Sequence, residues 1–496
     1  MASTPKDLKR QAELYAARLL GCIVIDGKLV KLAGDTFDLI NSATREVIGS
    51  VPQCSANDVD TAVQSAKKAQ RFWGKYAAQE RGRILYQCAD LVLVHQEELA
   101  LLMTLETGQS LRTVCRPEVQ VMADTFRYFA GLTMELKGET IPLNPNTLTM
   151  TVREPLGVVG GITPWNVPMM LMALKVAPAL AAGNSIVLKS SEEAPLAVLR
   201  VAELLGGLLP PGLFNVISGD GLQTGVALVK HPGVMKVTFT GSVEAGKSVY
   251  RNAADKLISV TLELGGKSPM IVCADADLAR AIDGAMAGMR LIRQGQSCSA
   301  ATRMFVHISL IKDFIEGFKV KASTLKMGDP FDEFNDVGSV ISQKQWDRIH
   351  RYLTLAEQTP GATLHHCGDL DPALVDGFFL RPVIIEGLTN DHPAVREEIF
   401  GPVTCVIPFD DFDDVIAMAN DTTYGLAATL WTKDLKVALD GAHRLNAGYI
   451  QVNQNHVVRP GAPYGGFAWS GLGKEASLDA MVDHFTRLKT IMINRE

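Results

Sequence analysis

The sequence predicts an α/β protein: a doubly wound parallel sheet followed by a second α/β unit. Three observations carry that expectation. From Gly157 onward, apolar runs at 157–162, 184–189, 213–218, 234–240 and 258–264 alternate with helical segments. Such alternation marks crossover units whose parallel strands bind nucleotides at their carboxyl ends. After Gly265 the alternation restarts with new spacing: 269–273, a helix, 302–308, a helix to Leu325, and further pairs to Val452. At 496 residues, finally, the chain is too long for one ordinary core.

Taken in order, a short helix is expected from Pro5 to Leu20, then a strand Cys22–Asp26 and a turn at Gly27. Helices follow from Asn57 to Tyr76, with Val59, Ala62, Val63, Ala66 and Ala69 on one stripe, and from Glu80 to Leu105. A third, Glu118 to Leu136, carries Phe126, Tyr128 and Phe129 and stops at Gly138. Thr147 to Val152 then reads as an exposed arm. The last segment, Phe485 to Asn494, is a strand with no later partner, free to pair with the arm near residue 150.

Composition narrows the class. Apolar content of 47% with 21% charged residues is that of a globular protein, and a net charge of −6 offers no basic footprint for nucleic acid. No run is long enough for a membrane span, and no secretory signal is visible, so a cytoplasmic location is expected. The eight cysteines stand singly, which argues against a disulfide scaffold and a zinc ribbon. His365-His366-Cys367 has the wrong spacing for chelation, because neighbours on a strand point to opposite sides. No metal site is expected.

One thiol is placed unlike the others. Leu278, Ala281, Ile282, Ala285, Met289 and Ile292 recur at helical spacing, Gly295 offers a terminator, and Met304 to Ile308 reads as a strand. Cys298 therefore falls on a turn between two rigid elements, where a nucleophile can be aimed. A helix carboxyl end before it would oppose thiolate formation. The positive charge of an oxidised nicotinamide or of Arg293 would offset that.

Other stretches carry chemistry of their own. Gly241-Ser242-Val243-Glu244-Ala245-Gly246-Lys247-Ser248 fits the phosphate-loop pattern, with Asp275 beyond a following strand as a magnesium ligand. Against this, Glu244 would put a carboxylate among donors meant for a triphosphate. The more modest reading is one diphosphate held by Ser242 at a helix N-terminus. No Gly-x-Gly-x-x-Gly fingerprint occurs, since Gly225 comes one place late after Gly219 and Gly221. Lys189 and Glu192 follow a strand where they could hold adenosine ribose hydroxyls, and the carboxylate favours NAD over NADP by repelling a 2′-phosphate. Glu263 ends an alternating strand and reads as a general base or as a solvent-facing carboxylate. Asn166, braced by Pro164 and Pro168, reads as an oxyanion donor or a helix cap.

Together these stretches resemble the aldehyde dehydrogenase superfamily, non-acylating type, from about residue 35 to the C-terminus. The likeness rests on Pro164-Trp165-Asn166, Leu262-Glu263-Leu264-Gly265-Gly266-Lys267, Gly295-Gln296-Ser297-Cys298, Glu398-Ile399-Phe400-Gly401-Pro402 and Pro463-Tyr464-Gly465-Gly466-Phe467. It implies Cys298 as nucleophile, Glu263 as base, Asn166 as oxyanion donor and Lys175 as a support for proton movement. It implies NAD along Ile162, Thr163, Pro164, Trp165, Lys189, Ser191, Glu192, Gly225, Phe239, Gly241, Ser242 and Leu264, with Glu398 on the nicotinamide ribose and Phe400 against the ring. It implies a Rossmann-like NAD-binding domain (1–130 and 151–264), a catalytic domain (265–470), and an oligomerisation arm and tail (131–150 and 471–496) of a homodimer or homotetramer.

By the same matching, Val167, Leu174, Ile292 and Tyr464 would line the aldehyde channel, with Ser297 and Ser299 flanking the thiol. Arg459 and His456 lie before the Pro463 motif, where a cation would suit an acidic aldehyde. The departures at Ser190 and Lys474 are read as remote from the chemistry. Three functions are set against one another: NAD-dependent oxidation of an aldehyde to a free acid, acyl-CoA formation, for which Glu263 would be wasted, and a silent binding relative. A phosphate-loop nucleotide-binding protein is the alternative outside the family.

Overall fold

The computed structural model describes residues 4–455 and 458–495. The first sheet runs, in spatial order, Gly471–Leu472, Ser259–Glu263, Val234–Thr240, Val158–Ile162, Ser185–Lys189, Phe214–Ile217, Cys22–Ile25 and Lys28–Lys31. From Ser259–Glu263 to Phe214–Ile217 its neighbours are parallel. The chain steps outward from Val158–Ile162 in one direction, then returns as Val234–Thr240 on the other flank. A crevice opens where a parallel sheet reverses in this way, and it opens at the strands' carboxyl ends. The predicted runs match these strands to within about a residue; the three at 158–162, 185–189 and 214–217 are buried along their whole length, while Met235 and Ser259 stay exposed on the other two.

The second sheet orders Thr363–His366, Val383–Glu386, Val403–Phe409, Arg303–His307, Pro269–Val272, Ala427–Trp431 and Tyr449–Val452. Only its edge strand Thr363–His366 is antiparallel. There His365 Nε2 meets Glu386 Oε2 at 3.1 Å, a surface pair rather than a metal ligand set.

Helix Ala56–Trp73 opens on a capping box, Ser55 Oγ accepting from Asp58 N while the Asp58 carboxylate accepts from Ser55 N. The single helix expected from Glu80 to Leu105 is two, Ala78–Val94 and Gln96–Thr107, joined at His95. The joint itself is polar, His95-Gln96-Glu97-Glu98, but these residues all suit a helix, so composition does not register the break. The helix expected from Glu118 to Leu136 runs Arg116–Gly131, followed by a 3-10 turn Thr133–Glu135, and buries Phe126 and Phe129.

Strand Thr486–Asn494 pairs antiparallel with Thr147–Pro155 along its whole length, Ile491 opposite Met150, and Thr140–Asn144 folds back onto the same strand. The terminal strand thus finds the partner expected for it. Residues 471–472, read with the tail, instead extend the first sheet beside Leu262 and Glu263. Among the described residues no helix is long and apolar enough to cross a membrane.

Candidate active site

The helix expected to run to Ile292 ends at Gly288. Asn455 packs so closely there that a Cβ on Gly288 would lie 2.0 Å from its Nδ2. The chain then turns through left-handed Arg290 (φ 52°) and Gln294 (φ 57°), which flank a single 3-10 turn, Leu291–Arg293. Gly295 (φ 63°) closes this turn and not the helix, and Ile292 is exposed on it. Arg290 donates to the Ala287 carbonyl at 2.7 Å, so the partial negative charge of the helix end is met before it reaches Cys298. Arg293 does not reach the thiol either. Its NH1 donates to Glu118 Oε2 (2.8 Å), Gln109 Oε1 (3.1 Å) and the Asn166 carbonyl (3.4 Å).

Cys298 is half-buried at the inner side of a cleft of about 790 Å³ that lies at the reversal of the first sheet. Pro164, Trp165, Asn166, Ser191, Glu192, Gly241, Ser242, Leu264, Gly265, Glu398 and Phe400 line the same cleft. The motif glycines are there because nothing larger fits. A Cβ on Gly266 would lie 2.4 Å from the Cys298 carbonyl, and one on Gly465 would lie 2.5 Å from Glu263 Oε1.

Asn166 is 4% exposed, and its Nδ2 donates to the Gln296 carbonyl at 3.1 Å, in the loop that carries Cys298. Gln109 Nε2 holds the Asn166 carbonyl at 2.9 Å. The Cys298 backbone N–H has no hydrogen bond to any described residue.

Glu263 is 4% exposed, which removes the solvent-facing reading, and neither carboxyl oxygen has a partner among the described residues. Burial pushes its carboxyl well above the usual range, and nearby Glu475 pushes it further. Lys175 and Lys474 act in the opposite direction. Lys175 Nζ donates to Glu475 Oε1 and Thr240 Oγ1, both at 2.8 Å, and Thr238 Oγ1 donates to the same Glu475 oxygen at 3.0 Å. Lys474, read as remote from the chemistry, lies beside Glu263 and bonds the Gly465 and Gly448 carbonyls.

The family model for the aldehyde dehydrogenase family matches residues 29–491. The chain belongs to the aldehyde dehydrogenase family. Among solved structures, an aldehyde dehydrogenase from Bacillus cereus in complex with NAD+ is 36% identical, with all of both chains covered and a TM-score of 0.93. Betaine aldehyde dehydrogenase from Staphylococcus aureus, also in complex with NAD+, is 35% identical, with 99% of this chain and 98% of that chain covered and a TM-score of 0.94. PnpE from Pseudomonas sp. WBC-3 is 37% identical, covering 96% of this chain and 98% of its own, with a TM-score of 0.92.

On the cofactor side of this dehydrogenase, Lys189 Nζ meets Glu192 Oε2 at 3.3 Å, and Gly225 packs against the Lys189 stem. Thr163 N donates to the Lys189 carbonyl, while Ile162, Phe239 and Leu264 pack in one core beneath the cleft. Ser242 caps helix Val243–Ala254. The phosphate-loop reading fails on geometry. Lys247 pairs with Glu244 at 3.2 Å and lies over the Trp469 ring. The Asp275 carboxylate is taken up by Thr432, Lys433 and Asp434 in the second sheet. Glu398 Oε1 accepts from Gly266 N at 3.0 Å, burial pushes its carboxyl to about 7, and left-handed Phe400 meets Trp165 edge-on at 5.4 Å.

On the other side of the thiol, Tyr464 places its hydroxyl 3.7 Å from Cys298 Sγ, and the Ser297 and Ser299 hydroxyls face each other at 3.4 Å. Val167 precedes helix Pro168–Ala181 without capping it, and Leu174 is buried in the core that helix packs into. Arg459 is exposed, and His456 lies outside the described residues. Glu475, Gln109 and Glu118 escaped the sequence reading. Each acts on a site residue far away in the chain, and no local pattern marks it.

Proposed function

We propose that this dehydrogenase oxidises an aldehyde to its free carboxylic acid with NAD, through a covalent thioester on Cys298. The observation that carries the reading is that Cys298 and Asn166 share one cleft, while a buried Glu263 carboxylate, without a partner among the described residues, lies close enough to raise the thiol's pKa. The cleft suits a dinucleotide. Ser242 at a helix N-terminus would hold the diphosphate, Lys189 and Glu192 the adenosine ribose, and Glu398 the nicotinamide ribose.

Cys298 as thiolate attacks the aldehyde carbon and drives the carbonyl electrons onto oxygen. The second amide hydrogen of Asn166 and the Cys298 N–H stabilise that oxyanion. NAD, when bound, accepts the hydride that leaves the carbon as the oxyanion collapses to a thioester. Glu263 then takes a proton from water, the hydroxide adds to the thioester, and the acid departs as the Cys298 sulfur is released. Lys175 and Glu475, bonded to each other behind Glu263, help move that proton onward. Asn166→Ala is expected to lower kcat by about 10²–10³-fold with a smaller change in KM; steady-state kinetics check it.

The first sheet with its helices serves the cofactor and the second carries the nucleophile. The arm strand leaves Leu488, Met492 and Ile493 exposed, an apolar edge suited to joining subunits as a homodimer or homotetramer. Absorbance at 340 nm with a panel of aldehydes tests the activity. NADH should form without CoA, and kcat/KM with NADP should fall about tenfold or more because Glu192 faces a 2′-phosphate. A CoA requirement, or no turnover of any aldehyde, would overturn the reading.

A further inference from the structure

Burial pushes the Cys298 thiol up to about 11, so the reaction depends on whatever favours its anion. Of the charged groups around it, buried Arg290 favours the anion through space, while the carboxylates Glu398 and Glu263 work against it. Arg293 is spent on Glu118, Gln109 and Asn166, and buried Arg290 donates to the Ala287 and Asn455 carbonyls.

Among the described residues, the side-chain donor in contact with the sulfur is the Tyr464 hydroxyl, at 3.7 Å, and the Ser299 backbone N–H is also directed at it. The phenol is held rigidly. It is 6% exposed, and its ring meets Tyr449 edge-on with centroids 5.4 Å apart. Its backbone exchanges hydrogen bonds with Glu475 in both directions, Tyr464 N to the Glu475 carbonyl (3.0 Å) and Glu475 N to the Tyr464 carbonyl (2.7 Å). Between a phenol and a thiol either group can donate. A thiolate can only accept, so ionisation of Cys298 turns the contact into O–H···S⁻. The phenol keeps its own proton, because burial and the neighbouring Cys298 and Glu263 hold its pKa well up.

We propose that Tyr464 is a catalytic residue and not merely a channel wall: its hydroxyl donates to Cys298 Sγ and stabilises the attacking thiolate. The inference rests on Cys298 being the nucleophile. Tyr464→Phe keeps the ring, its packing on Tyr449 and the backbone pairing with Glu475, and removes the hydroxyl with its bonds to Cys298 and to the Ser299 side chain.

The test uses the full chain without substrate. Alkylation of Cys298 by iodoacetamide is followed by peptide mass spectrometry, and thiolate absorbance near ~240 nm is titrated against pH with Cys298→Ala backgrounds as blanks. Y464F should alkylate about five- to tenfold more slowly at pH ~8, the loss of one charge-assisted hydrogen bond. Its thiolate absorbance should appear at higher pH than in the wild type. An unchanged absorbance titration overturns the proposal whatever the alkylation rate, since a change in rate alone reports access. Neither readout requires turnover. An active Cys298→Ala enzyme would therefore refute the nucleophile assignment, while an unmoved titration with an inactive Cys298→Ala would refute only the role of Tyr464.

Discussion

Cys298→Ala is expected to lower NADH production by about 10⁴-fold or more, because no other group can form the covalent intermediate and the remaining site only binds and orients. The seven other cysteines are all buried, so none can substitute. The exchange removes one half-buried sulfur from a loop held by Gln294, Gln296 and Arg293. Gln294 Nε2 donates to the Gly338 carbonyl at 2.8 Å, and Gln296 Oε1 accepts from Ile341 N at 3.0 Å. The variant should therefore fold and still bind NAD, which quenching of protein fluorescence by added cofactor would show. Loss of turnover with retained binding places the defect in chemistry.

Glu263→Gln is expected to separate the two halves of the reaction. The amide is nearly isosteric with the carboxyl it replaces, and Gly465 still fits against it. Thioester formation needs no base at this position, so the first turnover should survive as a burst of about one NADH per subunit. Steady-state turnover should then fall by about 10²–10⁴-fold, the usual contribution of a positioned base. The pH dependence follows from the raised pKa of Glu263. Below that pKa the carboxyl is protonated and cannot take a proton from water; above it the carboxylate is available. Wild-type hydrolysis should therefore rise with pH through that pKa, and the variant should lack that rise. Rapid mixing at several pH values, read at 340 nm, checks both.

The parallel strands were legible because each is a short, largely apolar run bounded by turn residues, and the central ones are buried on both faces. That Cys298, Glu263 and Asn166 deserved notice was legible through short motifs rich in glycine or proline, and the structure shows what some of those residues do. Gly266 lets the chain pass the Cys298 carbonyl, Gly465 makes room for Glu263, and Pro164 and Pro168 bracket Asn166. What escaped is what pairs at long range. Lys175 could be named but not Glu475, 300 positions away, nor could Arg293 be assigned to Glu118 rather than to the thiol. Hydropathy likewise carried the helix past Gly288 to Ile292, because the left-handed turn at Arg290 that follows Gly288 leaves no mark in the apolar pattern. The phosphate-loop match misled for a related reason. A pattern of eight letters cannot say that Lys247 turns to Glu244 and Trp469.

The most direct measurement is the mass of the peptide containing residue 298, isolated from Glu263→Gln enzyme quenched in acid just after NAD and aldehyde are added. A gain equal to the acyl group on Cys298, in proportion to the NADH burst, is the predicted result. A full burst with that peptide unmodified would mean that oxidation proceeds without a covalent bond to Cys298, and would contradict the account.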